Sequence, residues 1–220
     1  MTPKAVAAVL GMTVLALSTA SARADAGAGE ETFKAAGCLE CHYTDGPARE
    51  QTIDDQLAKK GPELWYAGSK FQKDWLQAWL AQPQPIRPMK FNSLTEKNPG
   101  DHQALSGEDV ANVTDFLMGL TSSDVEAGAI EPKNNPKGRL IFTKKMPCSG
   151  CHQFEDKKGL AGGLMGPTLV GAGKRLNPDW IYAYLLKPKV FKPVKMMPVF
   201  VDILRDKDMQ DVAAYVASFE

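Results

Sequence analysis

The sequence predicts an all-α protein with long loops, built as two tandem domains of one design. Apolar residues recur at the three- and four-residue spacing of helices in several segments. Runs that alternate apolar and polar residues, as strands do, are few, and the stretches between the helices are rich in Gly and Pro. Motifs of the first half also return in the second half at an offset of 105 to 110 residues.

The repeat contains three motifs in the same order. A C-x-x-C-H pentapeptide is followed by G-P-x-L and then by a segment that begins with Trp and ends at Pro. The copies are residues 38–42 and 148–152, 61–64 and 166–169, and 75–83 and 180–188. The length of 220 residues suits two small domains. We assign residues 25–120 to the first domain, 121–136 to a linker of small, polar and proline residues, and 137–220 to the second domain.

Local signals place the helices of each domain. Asn177 is a candidate N-cap with Pro178 at the first helical position of the central helix in the second domain. The closing helix of each domain has apolar residues at a 3-4-3 spacing, and these helices should be started by Ser106 with Asp109 and by Asp206. The apolar positions are Val110, Val113, Leu117 and Leu120, and Met209, Val212, Val216 and Phe219.

The N-terminus has the pattern of a secretory signal. Lys4 precedes an apolar run over residues 5–17, and small residues follow up to Ala24, after which we expect cleavage. The run is shorter than the roughly 20 residues needed to span a bilayer, and no other run is long and apolar enough. We therefore expect an exported protein without a stable membrane span.

All four cysteines lie in the two C-x-x-C pairs, and His follows each pair directly. A disulfide within a pair would close a very small loop and stabilise little. A zinc site of four thiolates would need the two pairs to meet, and it leaves the repeated His unexplained. A thioredoxin-like redox pair is expected beside a βαβ unit, which the sequence lacks. The pattern favours covalent attachment of haem instead.

Haem attachment explains the spacing, because two thiols on one helical turn can each add to a haem vinyl group. The next residue then reaches the iron as the proximal ligand. Two such motifs in register predict two covalently attached haem c groups. The predicted attachment residues are Cys38, Cys41, Cys148 and Cys151, and the predicted iron ligands are His42 and His152.

The sixth ligand of each iron must come from elsewhere in the chain. The chain has three His, so both irons cannot have two histidine ligands within one chain. Methionine is the other common choice, and Met89 and Met197 hold matching places after the Trp-headed helices. Met196 competes with Met197, and His102 is the alternative to Met89.

With these motifs, residues 28–220 resemble the class I c-type cytochromes, and the whole chain resembles a two-domain dihaem cytochrome c of the bacterial periplasm. The resemblance implies that the carbonyls of Pro62 and Pro167 accept a hydrogen bond from the proximal imidazoles, which orients the rings. Lys90 departs from the family pattern, which has proline after the ligand Met. The implied function is single-electron transfer by a carrier that is not an enzyme.

Two other functions remain open from the sequence. One is a dihaem redox enzyme, peroxidase-like or thiosulfate-oxidising, in which one iron lacks Met. The other is an electron-relay subunit of a larger dehydrogenase, which differs from a carrier in its partner and not in its chemistry.

Charge is divided unevenly although the full chain is neutral. Residues 25–124 carry 9 basic and 16 acidic side chains, and residues 125–220 carry 15 and 10. No basic excess suggests nucleic acid. Four lysines precede Met197, so we expect an acidic redox partner to dock at this edge of the second domain. They are Lys187, Lys189, Lys192 and Lys195. For Lys70 and Arg175 we expect solvated surface charges rather than partners of haem carboxylates.

Overall fold

The computed structural model describes residues 26–220, and the predicted signal peptide, residues 1–24, lies outside this range. The described chain is mostly helical, which is compatible with the all-α class. The helices are α1 (Ala26–Ala35), α2 (Ile53–Ala58), α3 (Ala67–Lys70), α4 (Lys73–Ala81), α5 (Glu108–Gly119), α6 (Pro136–Leu140), α7 (Cys148–Cys151), α8 (Ala172–Arg175), α9 (Pro178–Leu186), α10 (Pro188–Phe191) and α11 (Asp206–Val216). Within residues 26–220 no helix has both the length and the apolar character that crossing a membrane requires.

A short antiparallel hairpin departs from the helical expectation. Its strands are β1 (Phe154–Asp156) and β2 (Gly159–Ala161). Asp156 accepts a hydrogen bond from the Lys158 amide at 2.7 Å, and Gly159 has a φ of 108°, so the turn is set by local chemistry. Phe154 is buried in the core and anchors the hairpin. Strands of three residues are too short for an alternating pattern to reveal them in the sequence.

In the first half of the chain, α5 packs against α1, α3 and α4. Their apolar faces enclose a core of Phe33, Leu76, Leu80, Val110, Val113 and Leu117. The crossing of α1 and α5 is close because Gly29 lies at the contact: a Cβ atom there would stand 2.1 Å from the Asn112 carbonyl oxygen. The opening and closing helices are therefore in backbone contact.

The second half repeats this arrangement. Helix α6 continues through a π-helical turn, Ile141–Lys145, and α6 and α9 both pack against α11. Gly138 lies at the crossing with α11, where a Cβ atom would stand 2.1 Å from the Asp211 carbonyl oxygen. The core is larger here and includes Ile141, Phe142, Trp180, Ile181, Phe191, Val212 and Val216.

The two halves meet where α3 passes into α4 and α8 passes into α9. Phe71 and Leu176 form an antiparallel bridge. The Gln72 amide donates to the Arg175 carbonyl at 2.9 Å, and the Asn177 amide donates to the Lys70 carbonyl at 2.8 Å. A repeat offset of 105 equates Lys70 with Arg175 and Gln72 with Asn177, so the two hydrogen bonds are equivalent and the contact is symmetrical.

The predicted helix starts had different outcomes. Asn177 caps α9 by accepting a hydrogen bond from the Asp179 amide at 3.0 Å, with Pro178 at the first position, so this prediction is confirmed. The start at Ser106 is wrong: α5 begins at Glu108, after Gly107 with a φ of 58°, and without a side-chain cap. A glycine turn, which needs no capping side chain, sets this start.

Part of the predicted linker is held firmly against the second half. The buried carboxylate of Asp179 accepts hydrogen bonds from the amides of Gly128 at 2.7 Å and Ile130 at 2.8 Å. The side chain of Ile130 is itself buried in the larger core. The small and polar composition of residues 121–136 did not reveal these contacts.

Candidate functional site

Each C-x-x-C-H motif forms one helical turn that ends at its histidine. In the first motif the turn is a 3-10 helix over Cys38–Glu40, and the His42 amide donates to the Cys38 carbonyl at 3.0 Å. In the second it is α7, and the His152 amide donates to the Cys148 carbonyl at 3.0 Å. Among residues 26–220 no disulfide joins any of the four cysteines. Each turn thus presents two thiols and an imidazole together, as haem attachment requires.

The proximal histidines are oriented by proline carbonyls. His42 Nδ1 lies 2.6 Å from the Pro62 oxygen, and His152 Nδ1 lies 2.7 Å from the Pro167 oxygen. A carbonyl can only accept, so Nδ1 carries the proton in both rings. The Nε2 lone pair is then available to a metal, and the hydrogen bond raises its basicity. These contacts have the form that the resemblance implies for Pro62 and Pro167.

Burial keeps both imidazoles neutral. Removal from water lowers the pKa of His42 and of His152, and this effect exceeds the opposite influence of the proline carbonyls. A neutral imidazole is the form that ligates a metal. Both rings are therefore in the ligating state at neutral pH.

Glycine before each proline lets the backbone approach the ring. A Cβ atom at Gly61 would stand 2.8 Å from His42 Cε1, and one at Gly166 would stand 2.4 Å from His152 Cε1. Any larger residue would push the imidazole out of place. The repeated Gly-Pro pair thus has a direct structural role at both sites.

The thiols are not arranged as a zinc site. Among residues 26–220 no three side chains of the types His, Cys, Asp and Glu are placed so that they could bind one metal ion, whereas a structural zinc site needs four ligands. Burial raises the pKa of Cys38 and raises that of Cys148 to about 11, which favours the thiol over the thiolate that zinc binds.

The candidate sixth ligands occupy different environments. Met197 is half-buried and packs against the larger core, whereas Met196 is 64% exposed. This difference favours Met197 over its neighbour. Met89 is half-buried and forms an isolated bridge with Lys97. The ring of His102 lies 6.2 Å from the ring of His42, measured between centroids.

The expectation of solvated charges at Lys70 and Arg175 is wrong. Arg175 is 5% exposed, and burial lowers its pKa to about 10. The Lys70 ammonium lies over the rings of Phe71, at 4.7 Å, and Trp180, at 4.9 Å. Burial and neighbouring cations lower the pKa of Lys70 to about 7. The contact between the two halves covers both side chains, which the sequence alone did not indicate.

Two buried indole N–H groups near the junction of the halves have no acceptor among the described residues. Trp65 Nε1 and Trp180 Nε1 have no hydrogen-bond partner within residues 26–220. Buried donors normally find an acceptor, and buried cations normally find an anion. Haem carries two carboxylates, so orphaned donors and buried cations near the junction fit its anionic edge.

The sequence did not predict the buried ion cluster centred on Glu63. The Glu63 carboxylate binds Lys59 and, across the junction, Lys192 at 2.6 Å, and it accepts a hydrogen bond from the Tyr66 hydroxyl at 2.6 Å. Burial alone would raise the pKa of Glu63, but the two lysines outweigh it and lower the pKa to about 2. The sequence signal was the acidic residue in the first G-P-x-L copy, where the second copy has Thr168.

The lysines before Met197 do not all face outward. Lys192 is bound to buried Glu63, and the charge of Lys187, which is exposed, is offset by Asp124 at 3.0 Å. Lys189 is exposed, and Lys195 is partly buried. The positive edge available to a partner is therefore smaller than the four lysines suggested.

Comparison with known proteins gives one result. Residues 136–220 match the model of the cytochrome c family. No curated protein and no solved structure matches the chain significantly. The matched region contains the second C-x-x-C-H motif, the Gly166-Pro167 pair and Met197.

Proposed function

Because residues 136–220 match the cytochrome c family, which supports a c-type cytochrome, we propose that this chain transfers single electrons through two covalently attached haem c groups. The observation that carries the proposal is the repeated pairing of a C-x-x-C-H histidine with a proline carbonyl, at 2.6 and 2.7 Å. The family match covers the second site, and the same geometry at the first site extends the proposal to both halves.

Different residues of the chain attach each haem and ligate its iron. Cys38 with Cys41, and Cys148 with Cys151, supply the thioether links. The Nε2 atoms of His42 and His152 supply the proximal ligands, which the proline carbonyls aim and make more basic. When bound, haem iron supplies a centre that alternates between the ferrous and ferric states.

Other residues shape the surroundings of the two groups. Met197 is the proposed sixth ligand in the second half. Lys70, which is partly buried, and Arg175, which is buried, would neutralise haem carboxylates near the junction of the halves, and the limited access of water there would strengthen these interactions. Electron transfer needs iron ligands that do not move. The two imidazoles meet this need, because each is held by a hydrogen bond to a proline carbonyl and by the close contact of a glycine.

The organisation of the mature protein is part of the proposal. Two tandem domains, residues 25–120 and 137–220, are supported by matching helix crossings at Gly29 and Gly138 and by an apolar cluster in each half, the larger of which also includes Tyr66 of the first half. Cleavage of a signal peptide after Ala24 would deliver the chain to the periplasm, where c-type haem is attached. An acidic redox partner would dock at the edge that contains Lys189 and Lys195, with an exchange rate that falls as salt rises.

The test is to produce the full chain with a haem-attachment system and measure the mass of the mature protein. We expect two haem groups per chain that stay bound in acidified organic solvent. Cys148→Ala with Cys151→Ala should leave one, and Cys38→Ala with Cys41→Ala should leave the other. A colourless product, or pigment released by the solvent, would refute the proposal. A five-coordinate high-spin haem in the wild type would favour an enzyme over a carrier.

A further inference from the structure

We infer that His102, and not Met89, is the sixth ligand of the iron held by His42. The inference rests on the proposed haem attachment at Cys38 and Cys41. It makes the two sites chemically different, with two imidazoles at the first and an imidazole and a thioether at the second. Four observations support it.

The first observation is the distance between the two imidazoles. Metal–imidazole bonds are about 2 Å long, and the ligating nitrogen lies about 1 Å from the ring centre. Two imidazoles on opposite sides of one iron therefore have ring centres about 6 Å apart. The His42 and His102 centroids are 6.2 Å apart. Their interplanar angle of 44° is compatible, because each ring can rotate about its bond to the metal.

The second observation is which nitrogen of His102 is available. Nδ1 of His102 lies 2.9 Å from the Gln103 carbonyl oxygen, so Nδ1 carries the proton and Nε2 has the free lone pair. His42 shows the same arrangement with Pro62. Both rings are thus in the tautomer in which Nε2 is the ligating atom.

The third observation is that His102 is held in place from the side of α4. The Trp79 ring lies 4.6 Å from the His102 ring, between centroids. Trp79 is itself fixed, because its Nε1 donates to the Gln84 carbonyl at 2.8 Å. This contact positions an exposed loop residue opposite the proximal histidine.

The fourth observation concerns the loop between α4 and α5. Met89 belongs to a closed turn in which the Lys90 amide donates to the Glu96 carbonyl at 2.9 Å and the Asn98 amide donates to the Pro88 carbonyl at 3.0 Å. His102 lies beyond this turn, six residues before α5 begins. Met197 stands nine residues before α11, so His102 occupies the more similar place relative to the closing helix.

The second half has no equivalent histidine, because the repeat offset places Lys207 there and the third His of the chain is His152. Methionine ligation raises the reduction potential relative to a second histidine. An electron shared between the two sites should therefore reside mainly at the second. The direction of transfer within the chain would be from the first half to the second.

The experiment uses the haem-loaded full chain and near-infrared magnetic circular dichroism, which distinguishes bis-histidine from histidine–methionine iron. We expect one band of each kind per chain in the wild type. His102→Ala should remove the bis-histidine band, and added imidazole should restore it. Met89→Leu, the matched control, should leave the spectrum unchanged, and Met197→Ala should remove the methionine band.

Two results would overturn the inference: a wild type with two methionine bands per chain, or an unchanged spectrum in His102→Ala. Haem content separates this outcome from failure of the proposed function. Two covalent haems with methionine at both irons would leave electron transfer intact and reject only His102. A first half without covalent haem would reject the first site itself.

Discussion

The ion cluster at Glu63 provides the sharpest test of how the two halves are joined. Glu63→Gln keeps the volume of the side chain and removes its charge. Lys59 would keep its second partner, Glu50, at 2.8 Å. Lys192, whose side chain is 22% exposed, would lose the carboxylate that binds it across the junction. The variant therefore leaves one partly buried cation without an anion.

Two routes give the same magnitude. Removing one partner of a buried ion pair costs about 3 to 5 kcal/mol. Independently, a shift of the Glu63 pKa from 4.5 to about 2 corresponds to about 3 kcal/mol of folding free energy, at about 1.4 kcal/mol per unit. We expect Glu63→Gln to lower the free energy of unfolding by about 3 kcal/mol at pH 7.

The pH dependence follows from the lowered pKa. The folded protein holds the Glu63 carboxyl ionised below the pH at which the unfolded chain protonates it. The contribution is therefore complete above about pH 4.5 and disappears as the pH falls through about 2. The difference in free energy of unfolding between wild type and Glu63→Gln should be about half as large at pH 3 as at pH 7.

Urea unfolding followed by far-ultraviolet circular dichroism, at pH 7 and pH 3, measures both effects. Glu96→Gln is the matched control, because it removes the exposed pair with Lys90 and should not change stability measurably. Adding Lys192→Met to Glu63→Gln should recover part of the loss, since the unpaired cation is removed. If Glu63→Gln stays within about 0.5 kcal/mol of wild type at pH 7, the cluster does not stabilise the junction.

Three further changes test local features. Gly166→Ala should displace the imidazole of His152 and give a high-spin signal from the second haem in absorption spectra, whereas Gly119→Ala, whose Cβ meets nothing within 4 Å, should not; equal spectra would contradict this. Gly138→Ala should force α6 away from α11 and lower stability to urea by about 2 to 3 kcal/mol; an unchanged midpoint would show that the helices separate freely. Asn177→Ala removes the cap of α9 and should cost about 1 kcal/mol in the same assay; a stabilised variant would contradict the capping role.

The histidine sites illustrate what a linear sequence can predict. Two thiols and an imidazole within five residues form a local unit, so the spacing alone placed them on one helical turn. The Gly-Pro pairs came from the repeat and the role of their proline carbonyls from the resemblance, and the structure places these carbonyl oxygens 2.6 and 2.7 Å from the histidine Nδ1 atoms. Caps were predictable where a side chain makes the contact, as at Asn177, and not where a glycine turn starts the helix, as at Gly107.

The sequence by itself determined the repeat, the helical spacing and the four thiols with their histidines, because each depends on neighbours along the chain. Only the tertiary structure showed that Arg175 is buried and Lys70 partly buried, that Glu63 binds Lys192, and that the His102 ring lies near the His42 ring. These facts depend on which distant segments meet. Burial and ion pairing result from contacts between segments that are far apart in the sequence, and no local sequence pattern predicts those contacts.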